Sequence, residues 1–169
     1  QRHVGRLAEA IGKEMGLSEA QLEGLRVGGL LHDIGKMSVP SEILVKPGKI
    51  NEAEFALIKM HPMSGFNILR EIDFPWPVAA MVHQHHERLD GSGYPLGLHA
   101  RGIILEARIL AVADVVEAMA NPRPYRPALG VDSAMDEIHR NAKGAYDRDV
   151  AAACLRVLAR DFSFDQIDS

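Results

Sequence analysis

The chain has 169 residues, 47% of them hydrophobic and 25% charged, with a net charge of -4 and one cysteine. That size supports a single domain around one core, and the lone cysteine excludes a disulfide framework. The charge balance leaves no broad basic footprint for polymeric nucleic acid, and no apolar run approaches the ~18 residues that span a bilayer. Because Gln1-Arg2-His3 carries neither an initiator Met nor a signal-peptide core, the chain reads as a cytoplasmic segment cut from a longer protein.

In chain order, Val4, Leu7, Ala8 and Ile11 share one helical stripe, and Leu22, Leu25 and Gly29 share a second that runs toward His32. Leu30-Leu31 reads as the last buried turn of that second helix, with Gly35 the place where it loosens or stops. Asn51 followed by Glu54 makes a capping box for a helix from Glu52 to Lys59. Further helices are expected near 62–71, 76–86, 103–120 and 147–160, and Asp132 starts one that carries Ala134, Ile138 and Ala142. Residues 37–50 and 88–101, punctuated by proline and glycine, read as ordered loops. The expectation is a mostly α fold forming one domain over 1–169, with Cys154 a small core residue.

His32-Asp33, His61, His85-His86 and Asp114 gather imidazole and carboxylate donors from separate segments. Such donors suit iron(II), manganese or magnesium, and the near absence of thiols disfavours a structural zinc knuckle. Adjacent helical residues point about 100° apart, so His32 can hold one ion while Asp33 bridges two. Lys36, three residues after Asp33, would lie over the same face and meet a phosphate. His61 precedes Pro62, as a helix-entry residue would, and His85-His86 closes an apolar run, so that both imidazoles emerge at one rim. Asp114 interrupts another apolar run, where an unpaired carboxylate would cost several kcal/mol. A metal would resolve that cost; pairing with Arg108 or a backbone amide is the alternative. Taken singly, a histidine is more often a core or surface residue than a ligand. His99 and His139 keep that reading, and His83 packs beside the site. The loop from Asp90 to Pro95 lets backbone approach a ligand, with Tyr94 as a stacking face or phenol donor. Arg123 and Arg126 suit phosphate oxygens and guanine edges, or form a solvated face.

The strings LLHDIGK, HHERLDGSGYP, ARILAVAD and RPYR, in this order, give the chain from His3 to about Val157 a resemblance to the HD-GYP family. These are HD-domain metal phosphohydrolases associated with cyclic di-GMP breakdown. The resemblance implies a compact bundle of about seven helices and metal ligation by His3, His32, Asp33, His61, His85, His86 and Asp114, with Asp33 bridging. It places Lys36 on the scissile phosphate and Tyr94, Arg123 and Arg126 on the cyclic dinucleotide. Two or three ions of iron or manganese are implied. Separately, a first helix cut at Gln1 suggests a preceding sensor, receiver or dimerisation segment, with the oligomeric state open between monomer and homodimer. The expected reaction is hydrolysis of cyclic di-GMP to pGpG, with or without further cleavage to GMP, by a hydroxide bridging two metals. A non-cleaving cyclic di-GMP receptor and a hydrolase for another nucleotide are the competing readings. Glu117 stands where relatives commonly carry Asp, and Leu129 where some carry a basic residue.

Overall fold

In the computed structural model, which describes residues 1–122, 128–160, 162 and 164, the helical periods become nine α-helices among those residues. They are α1 (Arg2–Glu14), α2 (Glu19–Leu31), α3 (Ser41–Leu44), α4 (Glu52–Ile58), α5 (His61–Leu69), α6 (Val78–Gln84), α7 (Leu105–Ala120), α8 (Val131–Asn141) and α9 (Arg148–Leu158). Short 3-10 turns occupy Ile34–Ser38 and Ala100–Gly102. The all-α expectation holds. The helix without a predicted counterpart is α3, a single turn inside the proline-rich segment 37–50.

α7 is the centre of the bundle, buried at Ala107, Ile109, Leu110, Ala111, Val112, Ala113 and Val116. A helix apolar on nearly every side must be enclosed, and α1, α2, α6, α8 and α9 pack around it. The α1 stripe of Val4, Leu7, Ala8 and Ile11 joins this core, as does Cys154 from α9, whose thiol burial pushes up to about 12. Each buried Val, Leu or Ile here contributes roughly 1.5–3 kcal/mol of apolar transfer. A smaller core of Leu69, Val78 and Val82, flanked by Val27, Leu31, Ile34, Phe74, Trp76 and Ala79, ties α5 and α6 to the end of α2.

The last turns of α2 are set by backbone contact. A Cβ on Gly29 would overlap the Gly5 Cα, so α1 and α2 touch without intervening side chains. This corrects one reading of the apolar lead-in: Gly28 and Gly29 are the buried positions, while Leu30, about 100° further round, is 41% exposed. Asp132 likewise lies in the first turn of α8, whose cap is Gly130 at φ 90. No helix among the described residues is long and apolar enough to cross a membrane.

Candidate metal centre

Three histidines sit at helix ends and repeat one local arrangement. His32 caps α2, His61 opens α5 just beyond α4, and His85 caps α6. The Nδ1 of each lies within hydrogen-bond distance of the carbonyl three residues earlier: Gly29 at 2.7 Å, Ile58 at 2.8 Å and Val82 at 2.7 Å. Those carbonyls belong to last turns, where no intrahelical N–H remains to meet them. A carbonyl only accepts, so each Nδ1 carries the proton and each Nε2 offers a lone pair in the neutral ring. The helix ends thus set tautomer and ring orientation together.

The lone pairs converge. The Nε2 atoms of His61 and His85 stand 3.3 Å apart, and the rings of His61, His85 and His86 lie with centroids 4.1–5.3 Å from one another. Asp33 stands between two donor groups, its Oδ1 3.4 Å from His61 Nε2 and its Oδ2 3.5 Å from His32 Nε2. That Oδ1 is buried and has no hydrogen-bond donor. Asp114 from the middle of α7 brings Oδ1 to 3.6 Å from His32 Nε2. One set of His61, His85 and His86 and another of His32, Asp33 and His85 each place donor atoms within 4.8 Å of one another. Facing imidazole lone pairs beside an unsatisfied carboxylate oxygen repel one another unless a cation lies between them. The donor set fits divalent metal.

The electrostatics agree. Burial pushes the His85 ring down to about 3, and burial also lowers His61 and His86. Burial opposes charge on His32 as well, but the neighbouring Asp114 and Asp33 carboxylates outweigh it and raise the ring. For Asp33, burial is outweighed by His32 and Lys36; for Asp114, by His32; both carboxyls are held below the usual carboxylate range. These carboxylates stay ionised and the His61, His85 and His86 rings stay neutral, as metal ligation requires.

The structure therefore brings His32, Asp33, His61, His85, His86 and Asp114 to one place. His3 stands apart from the two donor sets, 37% exposed, with Nδ1 3.8 Å from Glu117 Oε1, one turn beyond Asp114 on α7. Lys36 Nζ meets Asp33 Oδ2 at 2.7 Å. Tyr94 stacks on His86 with centroids 4.7 Å apart, and burial raises its phenol. Arg123 and Arg126 lie outside the described residues. The alternative partner for Asp114 is otherwise engaged: Arg108 pairs with Asp147 at 2.9 Å and donates to the carbonyls of Ile103 and Ala100. His83 stacks on Phe66, and His99 lies against Gly91 in the loop.

Two residues have no counterpart among the sequence expectations. Glu87 is 2% exposed, and its carboxylate accepts from the backbone N–H groups of Leu96 at 2.7 Å and Leu98 at 2.8 Å. Together with the Tyr94 N–H donating to His86 O, this staples the glycine loop onto the histidine pair. Gly93 allows the approach, since any Cβ there would overlap Glu87 and Arg88 backbone. The second is Phe55 on α4, whose ring meets Tyr94 edge-on. The only sequence signal for Glu87 is its place beside two histidines.

The donor geometry finds its match among known proteins, for the HD domain family matches residues 1–150. The chain belongs to the HD domain family. The motif-level resemblance pointed there. This HD domain is 38% identical over 155 residues to the cyclic di-GMP phosphodiesterase response regulator RpfG of Xanthomonas campestris pv. campestris, an alignment covering 90% of the chain and 41% of that protein. It is 40% identical over 154 residues to 3'3'-cGAMP-specific phosphodiesterase 1 of Vibrio cholerae, covering 90% of the chain and 36% of the relative. The chain thus spans well under half the length of these two relatives. Among solved structures, Bd1817, an HDG"Y"P protein from Bdellovibrio bacteriovorus, superimposes with a TM-score of 0.78 at 20% identity, covering 94% of the chain and 51% of Bd1817. That likeness concerns the fold.

Proposed function

We propose that this HD domain is a metal-dependent phosphodiesterase that opens a 3'-5' phosphodiester of cyclic di-GMP, giving pGpG and, after a second cleavage, GMP. The observation that carries this reading is the pair of donor sets sharing His85, with Asp33 standing between them. His32, Asp33, His61, His85, His86 and Asp114 would hold two ions, and His3 a third or the edge of one. Iron or manganese fits imidazole and carboxylate donors. When bound, the ions supply a water acidified toward neutral pH and charge stabilisation at the phosphoryl group.

The chain's own residues account for the rest. Asp33 offers one oxygen to each donor set, and its ion pair with Lys36 holds the ammonium beside them. Lys36, 36% exposed, can turn from Asp33 to a non-bridging phosphate oxygen without leaving the site. Tyr94 stays protonated and can donate to the substrate while its ring shields one side of His86. Arg123 and Arg126 are assigned here to the phosphates and guanine edges of the dinucleotide. The domain over 1–169 would work in the cytoplasm under an upstream sensor or receiver domain, as a monomer or homodimer.

A second substrate has specific support. Relatives of equal similarity are named for cyclic di-GMP and for 3'3'-cGAMP, so the hybrid dinucleotide is the competing candidate. The test is elemental analysis of anaerobically purified protein, followed on the same sample by chromatographic assay with both dinucleotides. The expected result is at least two iron or manganese ions per chain, linear product, and loss of both metal and turnover in Asp33→Ala. Stoichiometric metal and bound ligand without product would replace the enzyme by a receptor.

A further inference from the structure

One phosphodiester fits at the metal centre, but a cyclic dinucleotide carries a second phosphate and two purines that must lie beyond it. The described rim offers an aromatic corner for them. Tyr94 stacks on His86, and Phe55 meets Tyr94 with centroids 6.3 Å apart and planes at 81°. Phe55 nonetheless stays 45% exposed. One turn later, Lys59 holds its Nζ 5.0 Å from the Phe55 centroid and has no ion pair among the described residues.

The short helix that presents this pair is braced at its start. Asn51 and Glu54 form the capping box, and Lys46 Nζ contacts both Glu54 oxygens at 2.7 and 2.8 Å. Its end runs within three residues into His61, so the corner keeps a set relation to the metal donors.

We propose that Phe55 and Lys59 form a subsite for the nucleotide unit not held at the metal centre, Phe55 as the stacking platform for its purine and Lys59 as the contact for its phosphate. A stacking platform needs exposed ring surface, a neighbouring aromatic ring and a nearby cation, and all three are present. The subsite rests on the cyclic dinucleotide reading above.

The test uses metal-loaded protein with Phe55→Leu, Phe55→Trp and Lys59→Met. Leucine keeps apolar bulk and removes the flat face; tryptophan restores it. Steady-state kinetics are measured with cyclic di-GMP and with thymidine 5'-(4-nitrophenyl phosphate), which has one base. Phe55→Leu should raise KM for the dinucleotide about tenfold, equal to about 1.4 kcal/mol, and shift the ratio of kcat/KM between the two substrates by a similar factor. Phe55→Trp should recover both, and Lys59→Met should raise KM and flatten its dependence on salt. Equal losses on both substrates, or a Phe55→Leu KM within about twofold of wild type, would overturn the subsite. Wild-type protein inert toward every cyclic dinucleotide would instead overturn the hydrolase reading, so the two failures are separable.

Discussion

At the scale of single residues, His85 differs from its neighbours because it belongs to both donor sets, whereas His86 belongs to one. Its Nδ1 is committed to Val82 O and its ring is completely enclosed, so neither solvent nor rotation can offer a substitute donor. His85→Ala should therefore weaken every ion at the site, and by more than about 100-fold, the upper range for losing an outer hydrogen-bond partner of a ligand. His86→Ala should leave the His32, Asp33 and Asp114 side able to hold an ion. Elemental analysis of the two variants reads the difference; equal metal content in both would mean that His85 is not shared.

Elements set how firmly those residues are held. Gly35 lies in the turn after Asp33, and a Cβ there would overlap the His61 carbonyl and the Gly65 amide. Gly35→Ala should drive α5 away from the 3-10 turn, costing about 1–3 kcal/mol by overpacking and separating Asp33 from His61. Denaturant unfolding and metal analysis should both register it; a variant with full metal content would show that the turn has room. Glu87→Gln should act differently, because an amide NH2 would face a backbone N–H of the loop and leave it unsatisfied at a cost of about 1–3 kcal/mol. Metal content should persist while, on the proposed function, KM for cyclic di-GMP rises as Tyr94 loosens from His86. A Glu87→Gln enzyme with wild-type KM would make the staple irrelevant to substrate. Distance along the chain separates the features that local pattern carries from those it does not. The α1 stripe, the Asn51 capping box and the helix entry at His61 depend on residues a few positions apart, and each is readable in the sequence. Glu87 acts on amides nine and eleven residues away, Gly29 matters because of Gly5, and Phe55 because of Tyr94. Such pairings depend on tertiary packing, and local pattern does not encode them.

For the whole molecule, the donor set links the ends of α2 and α6, the start of α5 and the middle of α7, so an ion bound there ties both hydrophobic cores together. An unfolded chain offers no such convergence, and metal binding therefore adds directly to folding stability: about 2.7 kcal/mol at a free metal concentration 100 times Kd. Cys154 supplies a built-in gauge of that linkage. It is the chain's single cysteine, fully buried, and its thiol is pushed up to about 12, whereas only the thiolate reacts. Near pH 8 the folded protein should resist a disulfide exchange reagent and the unfolded chain should react, with labelling across a urea series tracing global opening. A chelator should move that labelling curve to lower urea, and manganese or iron(II) should restore it. Because Cys154 lies on α9, which supplies none of the site's donors, a shift there can come only through the stability of the whole bundle. A curve indifferent to chelator would mean that the convergent histidines hold no metal under those conditions, and the hydrolase reading would lose its foundation.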